Sequence, residues 1–505
     1  MADRDESMPD FAAMFAHLFG PDAVMPPEME ALIQAMQAGP HSSPMAAMIH
    51  RQFGALFGAT DPASRVTTAT ELARAAVAQS GGDPSVTEGQ RREVAEAVAV
   101  ASLWLDPVTT LDASAAQADA WCRAEWVEAT MPAWFRLVEP VADGVTAAST
   151  AAMRSQFDRL GQDAEGLDLG AIGLPAPLVE QLGGSDQSIS GLLGQLLPAL
   201  EQVSSGAFAA QLGHGVGALA ADVVSGTEVG LPVTPTGVVA LLPAHVEQVA
   251  ADLSLDPGEV RLYLAVREAA RVCLFREVPW LGPQMEAAVR DYGRHVTIDT
   301  DAIEAAVGSV DLSDPSAFQE AMSRAHVFGA TPSRQQQGAL DRLGATLALV
   351  EGWVDHVTDK AVGAHLPHAA ALGEAARRRR VGGPAAKAFA RFVGLDVQPR
   401  RLRDATNLWA ALDDRGGMPL RDGSWDHPDL APTADDLDDP LGYVERRANP
   451  TPRDAMDDEL ERLLAEAGPG PASGSGSGSG SGSETGHDSG PESGSGPGSG
   501  PDPTA

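Results

Sequence analysis

Apolar positions recur at helical spacing through most of this chain. The 3.6-residue period predicts helices over 62–80, 86–105, 112–129, 131–153, 257–276 and 338–362, and a long small-residue helical segment over 186–225. Strict apolar–polar alternation is scarce, so strands are not expected to contribute much. The fold class expected is mainly α, a multi-helix body. A Gly/Ser/Pro-rich tail from about residue 466 has too few apolar side chains to offset chain entropy and is expected to be disordered. The expected organisation is a Met/Pro-rich segment with short helices over 1–58, a helical domain over 59–230, a second helical domain over 231–465 and the tail over 466–505.

The stretch VRLYLAVREAARVCLF, residues 260–275, breaks the polar–apolar logic. Its start signal is strong: Asp256 as N-cap, Pro257 at the first helical position and Glu259 at the third, a capping-box arrangement. With Val260 at zero on a helical wheel, Leu264, Arg267, Arg271 and Leu274 fall within ~40° of it. Leu262, Val266, Ala269 and Cys273 occupy the other side, so the helix is apolar nearly all round and is expected to be buried. Two arginines and Glu268 then sit inside a core, and buried arginines need partners. Helix 338–362 offers Glu351 and Asp355 one turn apart, with Asp359 continuing the row.

Length, charge and cysteine content narrow the function classes. The 505 residues, 44% hydrophobic, can bury a large core. A net charge of −35 repels nucleic acid and anionic lipid, so neither is expected as a partner. No run of about 18 apolar residues escapes polar interruption, and the acidic N-terminus lacks a signal-peptide h-region. A cytoplasmic protein is expected. Cys122 and Cys273 form no CxxC pair, and Cys273 reads as a small buried hydrophobe rather than a nucleophile. Arginine and alanine abundance, with Lys360 and Lys387 as the only lysines, reads as genome composition. No nucleophile elbow, phosphate loop or dinucleotide fingerprint is present. The glycines of GHGVG, 213–217, suit close helix packing, and PWLGP, 279–283, reads as a rigid turn with a buried tryptophan. His245 reads as a surface or loop residue. Arg377–Arg380 suit a helix C-terminus, with the protein's own acidic DDLDDP, 435–440, or an acidic partner as a further docking option.

The run 241–284, together with LVEGWVDHVTD at 349–359, the later RFVGLDVQPRRLRDATNLWAAL and WDHPDL, resembles the actinobacterial zincin-like family of hydrolases and zinc-dependent metalloproteases. The resemblance spans most of residues 60–445. It implies zinc held by an H-E-x-x-H helix and by the glutamate of a later E-G motif. Carried over, Arg267 and Arg271 stand at the two histidine positions, Glu268 at the general-base position and Glu351, followed by Gly352, at the third-ligand position. Asp355 and His356 would be supporting residues. Histidines four apart share a helix face and can converge on one metal, and the glutamate between them takes a proton from bound water. Arginine offers no lone pair and stays protonated. Zinc is therefore implied by the resemblance but not expected to be held here. Two readings stay open: a pseudoenzyme with a binding or scaffolding role toward a protein or peptide, and an active hydrolase with a rearranged metal site that could draw on His356, His365 and His368.

Overall fold

The structure is a computed structural model that describes residues 62–114, 116–163, 189–296, 333–382, 401–449 and 462. The N-terminal segment over 1–58 and the tail over 466–505 lie outside these residues. The described residues through Asn449 form one compact unit, and of the second, Pro450–Ala505, only Arg462 is described.

Helices dominate the described residues: α1 Pro62–Gln79, α2 Glu88–Leu105, α3 Arg123–Asp163, α4 Ile189–Ala220, α5 Pro243–Leu253, α6 Pro257–Glu277, α7 Leu281–Arg294, α8 Arg334–Val362, α9 Ala369–Gly382, α10 Leu402–Asp422, α11 Ala434–Asp438 and α12 Pro440–Ala448. Two four-residue strands, β1 Gln117–Ala120 and β2 Val238–Leu241, pair in parallel, Gln117 opposite Val238 and Ala120 opposite Leu241. No described helix is long and apolar enough to cross a membrane.

One element departs from the helical pattern read along the chain. In place of helices over 112–129 and 131–153, β1 occupies 117–120 and α3 then runs unbroken past Pro132 and Pro140. The sequence QADA has no strand propensity of its own; pairing with the fully buried β2 makes it a strand. The start of α3 is set from a distance. Asp83 accepts the backbone N–H groups of Arg123 at 3.0 Å and Ala124 at 2.9 Å, so a loop forty residues upstream caps the helix. The expected turn at 279–283 is likewise the start of α7, with Trp280 half-buried and its indole N–H donating to the Trp425 carbonyl at 2.9 Å.

The core surrounds α6, which packs on α2, α8 and β2. Glycines let the neighbouring helices approach closely. A Cβ on Gly213 would stand 2.6 Å from the Ala69 carbonyl oxygen, and one on Gly217 2.8 Å from that of Ala73, so α4 lies directly against α1. Gly352 performs the same role for α8 against α10, where a Cβ would meet Ala405 at 2.7 Å and the Thr406 nitrogen at 2.8 Å. That crossing explains why a glycine follows Glu351.

Two substitutions on α8 should therefore have opposite signs. Gly344 has open space around its Cβ direction, and Gly344→Ala should stabilise by about 0.5–1 kcal/mol through helix propensity. Gly352→Ala must push two backbones apart and should cost roughly 1–3 kcal/mol. Urea denaturation of both variants gives the two signs directly.

Candidate functional site

Helix α6 carries the site because its middle is buried on every side. Asp256 caps it, its side chain accepting the Glu259 N–H at 3.1 Å, and Pro257 fixes the first turn. Only half of the expected capping box forms. The Glu259 carboxylate turns away from the cap and takes the backbone N–H and Nδ1 of His368, each at 2.8 Å. Every residue from Ala265 to Leu274 is buried, Arg267, Glu268 and Arg271 included.

The buried charges close on one another. Arg271 grips Glu351 side-on, Nε to Oε1 at 2.7 Å and Nη2 to Oε2 at 3.2 Å, and its Nη1 donates to Glu268 at 2.8 Å. Arg267 donates to Glu351 at 3.0 Å and, through Nη1, to Asp355. A third guanidinium comes from α9: Arg380 lies 3.0 Å from Glu351 and donates to Asp355 at 3.1 Å. Glu268 takes three further hydrogen bonds from the loop before β2, from Ser225 Oγ at 2.8 Å, Thr227 N–H at 2.6 Å and Thr227 Oγ1 at 2.9 Å. The cluster thus matches three arginines with three carboxylates, and the side chains are between 0% and 10% exposed. That loop closes over the acids. Gly230, at φ +81°, brings its backbone so near that a Cβ would lie 3.3 Å from Glu351 Oε1.

Burial alone would strip charge from these groups. Burial pulls the Arg267 guanidinium down, but Asp355, Tyr263 and Glu351 outweigh it and hold the proton more tightly than usual. Glu351 and Glu268 do the same for Arg271. Burial pushes the Glu268 carboxyl up against the opposing pull of Arg271, Ser225 and Thr227, and pushes Asp355 up against Arg267.

The other residues singled out by the sequence disperse. His356 points away from the cluster and its Nε2 donates to Asp413 at 2.8 Å, where Lys360 and Arg421 also converge. Asp359 is exposed. His365 stacks on Trp104 at 4.4 Å, and His368 is the exposed partner of Glu259. His245 is half-buried in the first turn of α5, not in a loop, and its Nδ1 donates to the Val223 carbonyl at 2.6 Å. Burial pushes the Cys273 thiol up to about 12, and its Sγ sits 3.3 Å from the Asp112 carbonyl. The acids of the 435–440 segment do not meet the Arg377–Arg380 run; Asp436 and Asp438 pair with Arg446 and Arg401. Instead Arg377 and Arg378 pair with Glu374, and Arg379 reaches Glu228 and the Asp222 carbonyl.

These residues do not fit a zinc ion. Guanidinium groups fill the space on the motif helix, they offer donors only, and they engage Glu268, Glu351 and Asp355. No group of three or more His, Cys, Asp or Glu among the described residues could hold a metal. Ser225, Thr227 and Arg380 are the members that no sequence motif identifies. Arg380 alone left a trace, as the end of a basic run.

A family model described as zincin-like metallopeptidase matches residues 66–444. A solved structure from Chloroflexus aurantiacus, described as a "putative hydrolase with a novel fold", is 17% identical, covers 75% of this chain and 96% of its own, and superposes with a TM-score of 0.47. No curated protein matches the chain.

Removing one guanidinium tests the cluster's charge balance. Arg271→Met leaves Glu268 and Glu351 short of a partner and should cost about 3–5 kcal/mol. The uncompensated carboxyl then has a folded-state pKa above its unfolded value, so the folded state binds more protons and stability falls as pH rises. Urea titrations should show a larger deficit at pH 8 than at pH 5.

Proposed function

The chain belongs to the zincin-like metallopeptidase family, and from that premise we propose that it is a member in which zinc catalysis has given way to a binding or scaffolding role toward a protein or peptide. The motif helix reads R-E-A-A-R at 267–271, with arginine at both positions where the zinc-site form carries histidine. Glu268 keeps the general-base position, Glu351 the third-ligand position, and Asp355 supports them. The arginine- and alanine-rich composition fits an actinobacterial origin, and two free cysteines fit the cytoplasm.

One observation carries this reading: Glu268 is fully engaged. A general base must present a free lone pair to a water held beside the scissile group. Here Oε1 takes both donors of Thr227, and Oε2 takes Ser225 and Arg271. Glu351 is bound side-on by Arg271 through both oxygens, and its Oε2 is shared with Arg267 and Arg380. A fixed pair of cations supplies the positive charge a zinc ion would bring, without its capacity to bind and acidify water. Arg–carboxylate forks are strong and directional, so the substitution retains the fold while removing the Lewis acid.

Metal content tests the proposal. Untagged protein purified without chelators should carry no stoichiometric zinc by elemental mass spectrometry. The double substitution Arg267→His/Arg271→His should take up about one equivalent, because two imidazoles four residues apart then face Glu351. One tightly bound zinc in the unaltered protein would overturn the non-catalytic reading and restore the hydrolase with a rearranged metal site.

A further inference from the structure

We infer that the Glu351–Asp355 pair is a guanidinium-recognition site, filled within the chain by Arg380, and that an arginine side chain of a partner protein can take that position. The inference deepens the binding role proposed above and rests on it for its use.

Arg380 differs from the other two arginines. Arg267 and Arg271 belong to the buried helix α6 and cannot leave without unfolding it. Arg380 comes from α9, where among residues 369–380 only Leu372 and Gly373 are buried. Leu372, with Ala369 and Ala376, packs α9 on the core, and ion pairs add to that hold: Arg379 with Glu228, and Arg380 with Glu351 and Asp355. Arg380 is also the most exposed member of the cluster, at 10% of its side chain.

The fit of Arg380 is incomplete. Its Nη2 donates to Asp355 Oδ1 at 3.1 Å, but its Nη1, although 3.0 Å from Glu351, is not aligned to donate and has no hydrogen-bond partner. Asp355 is 97% buried, being 3% exposed, yet its Oδ2 accepts nothing. A buried unsatisfied carboxylate oxygen is costly, and here it lies on the same carboxylate that Arg380 contacts through one oxygen only. A guanidinium arriving with better alignment could use both Asp355 oxygens and keep a contact to Glu351, the fork geometry that lysine cannot reproduce.

The charges favour exchange over simple addition. With Arg380 withdrawn, two arginines face three carboxylates and the cluster carries one net negative charge. An entering arginine restores neutrality while Arg380 regains water. The chain's net charge of −35 draws cationic partners toward it.

The probe is N-acetyl-arginine methylamide, a guanidinium side chain with neutral ends, followed by calorimetry. Arg380→Ala should bind it at least tenfold more tightly than the unaltered protein and more tightly than N-acetyl-lysine methylamide. Adding Asp355→Asn should abolish the gain, and Arg378→Ala, whose side chain is 78% exposed, should not produce it. If Arg380→Ala binds no more tightly, or if Asp355→Asn leaves the gain intact, the inference fails. Should Arg380→Ala not fold, hydrogen exchange on the unaltered protein decides. The arginine probe should accelerate exchange across 369–380 and the lysine probe should not; equal or absent acceleration overturns the site. Zinc content measured on the same samples reads the non-catalytic proposal separately, so either can fail alone.

Discussion

Charge neutrality at the centre of the molecule is the constraint on which the rest of the structure depends. Three guanidiniums and three carboxylates lie at 10% exposure or less, and leaving one of the fully buried groups without its partner costs about 3–5 kcal/mol, a large share of an ordinary domain's stability. Glu351 is the hinge of this arrangement because every arginine of the cluster reaches it. The rest of the local architecture follows. Helix α8 must face α6 along one line, α9 must return to deliver Arg380, and the loop before β2 must press inward so that Ser225 and Thr227 satisfy Glu268.

Close backbone approach makes that geometry attainable. Gly352 seats α8 against α10, which holds Glu351 and Asp355 at their height over α6. Gly226 and Gly230 admit the covering loop; a Cβ on Gly226 would stand 3.1 Å from Glu268 Oε1. A second polar knot anchors the far side of α8: Trp353 donates to Asp422, which Arg421 also binds, while His356 and Lys360 meet Asp413. Helix α8 is thus clamped between two sets of buried ions, with an apolar body between them.

How much of this could be read in the sequence depends on the range of each interaction. Helix α6 was legible because its cap, its apolar wheel and its misplaced charges all lie within about twenty residues, and the partnering of its arginines by Glu351 and Asp355 followed from helical phase. His356 shows where phase fails. It adjoins Asp355 in sequence, but its partner, Asp413, comes 57 residues later on α10. Ser225 and Thr227 gave no signal, since a serine and a threonine in a Gly/Pro-rich loop look like any turn. Strand β1 was invisible for the same reason: QADA is a strand only because VVAL lies beside it. Arg380 was visible only as one of four consecutive arginines, which do end α9, and nothing local marks the one that reaches the buried acids.

The covering arginine also has a consequence for how the chain comes to fold. Strands β1 and β2 pair across more than a hundred residues, and the ion cluster gathers groups from Ser225 to Arg380. Contacts of such long range form late. During synthesis, the motif helix emerges well before Glu351, Asp355 and Arg380, so Arg267 and Arg271 leave the ribosome with two of their three carboxylate partners still unmade. Burying α6 in that interval would leave both arginines short of partners, and that cost favours a hydrated segment until α8 is made. The arginine that covers the finished cluster is therefore the last of its charges to be made.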